Sequence, residues 1–433
     1  MDHSPRTTRR GFLTAAAAAV AAPYVLRATA LGAAGRKPPS DRITLGMIGM
    51  GTQGNGHLGG AHGGAWNAQR PGGFLAREDV HVLAVCDVDR GRRENAKKKV
   101  ESVYAGKHGK GTYKGCAAYN DFRDLVTRED IDVVCIATPD HWHALISIWA
   151  CRYGKDVYCE KPMTRFIREG PAMIEAARLH GRIIQAGTQQ RSSPAFRRAC
   201  ELVRNGRIGK VQTVHVNVGG PSSHRIDSPQ PVPPGLDWEM WLGPAPWRPY
   251  HPGPHPGGFR NYRDFSGGGM TDWGAHHYDI AQWALGMDET GPVEIDASKG
   301  QCVYKYANGV VMFHGGAGFG DITFTGTKGR VGTGRWYVKT EPPELLKEPL
   351  GPDDVHLYES NNHADNFLEC VRTRRRPIAD PAVIHRSVSV CHLGNIAYWL
   401  KRPLKWDPEK EEFVGDEEAN RWVSRAMREP WRL

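Results

Sequence analysis

The sequence predicts an α/β domain followed by an α+β domain, the first built on a parallel sheet and the second on a large, mainly antiparallel one. Three observations carry this. A chain of 433 residues is long for one hydrophobic core. From Ile43, short β-rich runs alternate with helical stretches: 43–48, 80–86, 131–137, 156–159 and 182–186, with helices over 90–104, 143–153 and 167–180. Such alternation implies parallel strands joined by right-handed crossovers. Beyond about residue 210, runs at 211–218, 293–304, 310–315, 321–325 and 330–338 are separated by short glycine-containing turns, which suits antiparallel pairing.

Composition excludes wholesale disorder, with 40% hydrophobic and 24% charged residues. The formal charge of +10 is no nucleic-acid signature. The first thirty residues hold four Arg against one Asp, and the remaining basic residues are interspersed with acids, as in Arg92-Arg93-Glu94. Residues 1–30 read as an address. Thr8-Arg9-Arg10-Gly11-Phe12-Leu13-Thr14 precedes an Ala-rich run ending in Ala28-Thr29-Ala30, the small-x-small form of a cleavage site. The paired arginines resemble a twin-arginine signal. That implies export of the folded chain by the twin-arginine machinery to a periplasmic or other extracytoplasmic location, with no stable membrane span in the mature protein. Nine cysteines without a CxxC pair predict neither a zinc ribbon nor attached haem, and no metal site is expected.

Between the two sheets lies a proline-rich stretch, 221–256. Four Trp between Trp238 and Trp273 are costly to leave in water, so an ordered loop packed near a cleft is expected. Near the C-terminus, 361–374, 381–400 and 416–427 read as helices.

Chemistry starts at Gly49-Met50-Gly51-Thr52-Gln53-Gly54, between the first strand and a helix. Glycines there let the backbone turn tightly and approach a pyrophosphate, so strand, loop and helix in this order predict a Rossmann dinucleotide site. Asp87, ending the second strand, is the expected acceptor for the ribose hydroxyls of NAD. A glycine-rich insertion around 61–73 lengthens its separation from the glycines. Arg90, Arg92 and Arg93 follow closely and keep NADP open as the cofactor, with NAD preferred.

Ile136-Ala137-Thr138-Pro139-Asp140-His141 after the fourth strand and Tyr158-Cys159-Glu160-Lys161-Pro162 after the fifth, together with the glycine loop, resemble the Gfo/Idh/MocA family of sugar and cyclitol dehydrogenases. The resemblance extends to Ser266-Gly267-Gly268-Gly269-Met270-Thr271-Asp272-Trp273-Gly274-Ala275-His276-His277-Tyr278-Asp279. It implies a Rossmann NAD(P)-binding domain over 41–163 and a C-terminal substrate-binding and oligomerisation domain over 164–433. It also implies a carbohydrate substrate and a homo-oligomer, while export of the folded chain by the twin-arginine route implies a tightly held cofactor. Gly49, Gly51, Thr52, Gln53, Gly54, Asp87, Thr138, Pro139, His141, Glu160, Lys161 and Arg260 are the expected cofactor residues. Lys161, Asp272 and His276 are the expected catalytic set, and Arg191 joins them as a substrate contact. Gln189 and His143 are weaker pocket candidates, and His277 reads as structural. On a continuous helix Asp272 and His276, four apart, share a face, which Asp279 continues.

Oxidation of a secondary alcohol needs a base for the O–H proton and an acceptor for the hydride. His276 is expected as the base, oriented by Asp272, with Lys161 polarising the hydroxyl; Lys161 is the alternative base. Two other readings stand beside the dehydrogenase. One is an NAD-dependent glycosidase working by transient oxidation, elimination and re-reduction; the other is a ligand sensor that performs no chemistry.

Overall fold

In the computed structural model, residues 41–59, 73–107 and 112–433 are described. The leader, 1–30, and most of the glycine-rich insertion lie outside them. Six wholly parallel strands form the first sheet: β1 (Ile43–Ile48), β2 (Val80–Cys86), β3 (Ala117–Tyr119), β4 (Val133–Ile136), β5 (Asp156–Cys159) and β6 (Ile184–Ala186). Their spatial order is β3-β2-β1-β4-β5-β6, so the strand order reverses between β1 and β4. In a doubly wound sheet that reversal opens a crevice at the carboxyl ends of the strands. Val133–Ile136 and Asp156–Cys159 are buried at every position, as strands covered on both faces must be, with the Asp156 carboxylate paired to Arg374 at 2.6 Å. Helices Arg90–Lys107, His143–Arg152 and Glu169–Leu179 occupy the expected crossovers.

The second sheet has nine strands: β7 (Val211–Val216), β8 (Glu294–Asp296), β9 (Val303–Lys305), β10 (Val311–His314), β11 (Ile322–Gly326), β12 (Arg330–Gly334), β13 (Tyr337–Glu341), β14 (Leu404–Asp407) and β15 (Glu412–Phe413). Their order is β13-β12-β11-β7-β10-β9-β8-β14-β15, and every pairing is antiparallel except β10 with β7. Two runs read as single strands each break in two, with turns at 297–302 and 335–336. Inward residues Val214, Val216, Met312, Ile322 and Phe324 join the core with helices Gly274–Leu285 and Pro381–Leu400. The latter helix has the bounds read from sequence, with Asp380 capping its first turn.

The edge strand β6 is covered by the C-terminal half. Ala186 N–H donates to Ala379 O at 3.0 Å, Gln185 Nε2 donates to His363 O at 2.8 Å, and the His363 ring lies 2.8 Å from Ala186 O through Nε2. Tertiary bonds also correct one helix. Of 416–427 only Glu417–Asn420 is helical. Asn420 closes on the Phe413 backbone through two bonds of 2.8 Å, and Arg425 donates to Asp264 O, drawing the tail across the 239–264 region instead.

All nine cysteines are buried free thiols. Among the described residues no helix is long and apolar enough to cross a membrane.

Arg191 is a further correction. Expected at the substrate, it is buried and forked onto Asp279 at 2.8 Å and Asp288 at 2.7 Å, with its guanidinium 5.1 Å from the Trp283 ring centre. Asp279 also accepts from Ser387 Oγ at 2.7 Å. Burial opposes the Arg191 charge, but the two carboxylates outweigh it and raise its pKa. The pair ties the 3₁₀ turn Gln189–Ser192 to helix Gly274–Leu285, so Arg191 and Asp279 hold the fold together. Removing one partner of a buried ion pair leaves the other charge uncompensated. Arg191→Ala is expected to cost about 3–5 kcal/mol in equilibrium denaturation. A loss below about 1 kcal/mol would contradict the structural assignment.

Candidate active site

The crevice between β1 and β4 is lined by the glycine loop, Asp87, Thr138, Pro139, Glu160, Lys161 and Arg260, as read from sequence. Gly49 has φ +87°, and a Cβ there would stand 2.7 Å from the Ala137 carbonyl group. A Cβ on Gly54 would lie 1.9 Å from Gly49 O, inside any contact distance, although no part of Gly54 faces the crevice directly. The two glycines let the helix Thr52–Leu58 sit down on the loop, with Gly51, Thr52 and Gln53 at the crevice wall.

Asp87 Oδ2 accepts from Met50 N at 2.6 Å and Oδ1 from Asp89 N at 2.8 Å, which fixes the carboxylate at the crevice mouth. Burial raises its pKa, with the two backbone donors and Arg92 opposing. Among the described residues, two buried polar atoms on the lining have no hydrogen-bond partner, Thr138 Oγ1 and His255 Nε2. A dinucleotide fits this surface: a backbone cradle that side chains would fill, a carboxylate for ribose hydroxyls, and orphaned polar atoms along the path.

The far wall comes from the proline-rich stretch, ordered as expected. Trp238 and Trp241 stack at 4.6 Å within a small core of Leu236, Leu242, Tyr250, Tyr262 and Phe265. This segment is fastened to the end of β2 by Arg90 N to Gly235 O at 2.9 Å and Asp237 N to Val88 O at 3.0 Å. Arg92 donates to Pro256 O at 3.1 Å, and Met240, Trp241 and Phe259 line the crevice.

Glu160 is the buried hub of the floor. Its Oε1 accepts from His57 Nε2 at 2.7 Å, Gln53 Nε2 at 3.1 Å and Gln189 Nε2 at 2.8 Å, and its Oε2 accepts from Lys161 N at 3.1 Å. Burial alone would raise its pKa; the bond and charge of His57, with Lys161 and Gln53, reverse this and hold it at about 2. Sequence reasoning missed His57. Its signal was the four-residue step from Gln53 along the helix after the glycine loop.

Asp272 receives Lys161 Nζ at 2.5 Å and Arg260 Nε at 2.9 Å on one oxygen. Despite burial, these two cations lower its pKa. The expected single helix is interrupted: Gly269–Asp272 forms one turn and Gly274–Leu285 begins a second helix after Trp273. Asp272 is therefore bonded to Lys161 and Arg260, and no bond joins it to His276. The His276 ring is buried, with Nδ1 enclosed and unpartnered among the described residues. Burial first, then the charges of Lys161 and Arg335, push its pKa well below the ordinary 6.5. Arg335, absent from the sequence reading, lies over Trp273 at 4.4 Å. It comes from the turn between β12 and β13, whose register with Asp272 no local pattern announces.

His141 departs from its expected role. Its ring packs against Trp241 and Phe265, its Nε2 lies 3.0 Å from Trp241 O, and it stays off the crevice lining. Burial lowers its pKa to about 3, so it is a neutral prop for the tryptophan wall. His143 likewise faces the Pro162 and Thr138 carbonyls at 2.7 and 2.9 Å, joining the two turns that border the site.

Gly54→Ala tests the cradle. The added methyl must displace the Gly49 carbonyl, so NADH titrated by fluorescence should bind about tenfold more weakly or worse while far-ultraviolet circular dichroism is kept. Unchanged affinity would place the dinucleotide elsewhere.

Residues 43–188 match the oxidoreductase family NAD-binding Rossmann fold, and residues 221–433 match the C-terminal alpha/beta domain of the same Gfo/Idh/MocA oxidoreductase family. The chain is 30% identical over 174 residues to inositol 2-dehydrogenase of Salmonella typhimurium, which covers 40% of this chain and 45% of that protein. It thus spans less than half the length of that curated relative. Its fold is similar to the aldose-aldose oxidoreductase from Caulobacter crescentus complexed with glycerol, with TM-score 0.55, 20% identity, and 84% and 99% of the two chains covered. It is also similar to the WlbA dehydrogenase from Bordetella pertussis in complex with NADH and UDP-GlcNAcA, with TM-score 0.54, 18% identity, and 84% and 99% covered. With the first match spanning β1 to β6 and the crevice between β1 and β4, and the second spanning β8 to β15, the chain belongs to the Gfo/Idh/MocA oxidoreductase family.

Proposed function

We propose that this protein is an NAD(P)-dependent oxidoreductase that moves a hydride between a nicotinamide and a hydroxyl or keto group of a sugar or cyclitol. The observation that carries the reading is the meeting of Lys161 and Arg260, both on the crevice wall, at the Asp272 carboxylate beside the buried His276. The inositol 2-dehydrogenase relative supports a polyhydroxylated ring as substrate.

When bound, a nicotinamide dinucleotide supplies the two-electron acceptor. The glycine loop and Asp87 would hold its adenosine end, and Thr138, Pro139 and Glu160 would border the remainder. Asp87 favours NAD over NADP, because a buried carboxylate accepts from ribose hydroxyls and repels a 2′-phosphate. Asp272 keeps the Lys161 ammonium in one place, so its remaining protons are directed to the substrate oxygen and stabilise negative charge developing there. His276, neutral in its buried position among Lys161, Arg335, His277 and His363, takes the hydroxyl proton as the carbon–hydrogen bond gives up its hydride and the carbonyl forms. The twin-arginine reading of the leader and an extracytoplasmic location belong to the same proposal, as does self-association. A folded enzyme exported with its dinucleotide seated would recycle the hydride between two substrates.

A sugar and cyclitol panel, followed by absorbance of reduced nicotinamide, tests the activity. Steady aglycone release from nitrophenyl glycosides without oxidation of any free sugar would favour the glycosidase cycle instead. His276→Ala should lower kcat by about two orders of magnitude or more with NADH affinity unchanged. Undiminished turnover would remove His276 as base and leave the role to Lys161.

The pH profile gives a second check. A histidine with a depressed pKa stays neutral through its ordinary 6.5 and loses its base form only in stronger acid. No acid limb at pH 6.5 is therefore expected in kcat/KM for oxidation. A limb there, absent in His276→Gln, would show an ordinary solvated imidazole.

A further inference from the structure

Behind the segment carrying Lys161 lies a separate pocket lined by Arg165, Phe166, Arg263, Arg421, Trp422 and Arg425, together with two acids, Asp264 and Glu418. Among the described residues, none of these four guanidinium groups forms an ion pair with a carboxylate. Arg165 is almost wholly buried, yet its Nε and Nη2 find a single acceptor, the Arg263 carbonyl, with the Nε contact at 3.2 Å. Arg425 donates from Nη1 to the next carbonyl, Asp264 O, at 2.8 Å, and its Nε is enclosed with no partner among the described residues. Arg263 meets ring faces instead of acceptors, 5.6 Å from the Trp399 centre and 5.0 Å from Trp422. Arg165 and Arg425 share the Phe166 ring at 4.5 and 4.9 Å.

The neighbouring acids Glu169 and Asp264 offset part of the charge of Arg165 and Arg425 without bonding to either guanidinium. Glu169 accepts the backbone N–H groups of Arg165 and Phe166 at 2.6 and 3.1 Å. Asp264 lies 3.4 Å from Arg248, Glu418 is 2.9 Å from Arg402, and Asp140 accepts from Ser266 Oγ at 2.5 Å. Burial and then the Arg425 charge draw the Arg165 pKa down to about 10, and burial lowers that of Arg425. Buried Arg191, by contrast, holds two aspartates. A desolvated guanidinium with no carboxylate bonded to it is costly, and buried Arg165 and enclosed Arg425, with half-buried Arg263 and exposed Arg421 at the same pocket, make an anion receptor.

We propose that this pocket is a second ligand site that takes a doubly charged tetrahedral oxyanion, the phosphate or sulfate group of a small molecule or the free ion. Guanidinium forks match such oxygens in pairs, and Phe166 and Trp422 supply apolar walls for the remainder of an ester. The site lies beyond the oxidoreductase reading and does not depend on it. Its position links it to the crevice: Arg165 follows Lys161 by four residues, and Arg263 follows Arg260 by three.

Calorimetric titration of the full chain at constant ionic strength tests this, with sodium phosphate, sodium sulfate and glucose 6-phosphate as probes and chloride as control. One saturable site per chain is expected, weakened about tenfold or more in Arg421→Ala and in Arg263→Ala, with NADH affinity unchanged. Arg421 makes no side-chain hydrogen bond among the described residues, so its variant keeps the test decisive should Arg263→Ala fail to fold. Tighter binding of the sugar phosphate would identify an ester as the ligand; equal or weaker binding would identify the free ion. No saturable heat beyond chloride, or equal affinity in both variants, overturns the proposal. Dissociation of a self-associated species by Arg421→Glu without phosphate binding overturns it in favour of a carboxylate from a second copy.

Discussion

The Glu160 carboxylate is the constraint on which the crevice depends. One buried anion draws in His57 and Gln53 from the helix after the glycine loop, Gln189 from the turn after β6, and the backbone of Lys161. Three separate segments thereby meet at a point, and each bond offsets part of the cost of removing that charge from water. The helix after the glycine loop and the Lys161 backbone take their relative positions from this junction, because they are bonded to the two oxygens of one carboxylate. A glutamine there would keep the shape and lose the charge that organises it.

Beyond Glu160, the site is divided between two electrostatic arrangements. Asp272 sits between two cations and stays ionised; His276, buried and flanked by positive charge, stays neutral. Environments that push titratable groups apart assign different proton-transfer roles to neighbouring side chains. The tryptophan wall completes the enclosure. Trp241 packs on His141 from behind and faces the crevice in front, so a residue that carries no reaction still determines how much water reaches it.

Much of this was legible in the chain. The parallel sheet followed from the alternation of apolar runs, and the glycine loop, Asp87, Glu160, Lys161, Asp272 and Arg260 all fall where their motifs place them. The errors have a common physical origin. Arg191 was read from its place just after β6 and His141 from the motif after β4, but each is captured by a partner about a hundred residues away, Asp279 and Trp241. The interruption at Trp273 and the shortened helix at Glu417–Asn420 are tertiary effects that helical period alone does not report. His57 and Arg335 escaped because their significance arises only when distant segments are brought together.

The cover over β6 bears on the order in which the chain can fold. The backbone N–H and carbonyl of Ala186 find their partners at Ala379 and the His363 ring, nearly two hundred positions later. A nascent chain emerging from the ribosome therefore presents an open strand edge throughout synthesis of the second sheet, and such an edge is a template for unwanted pairing. The first domain is complete as a pattern by residue 188 and as a closed object only near residue 380. Cutting the gene at the apparent domain boundary would yield a fragment with a sticky flank, whereas a fragment extended to include the helix His363–Thr373 and the Ile378–Ala379 strap would carry its own seal.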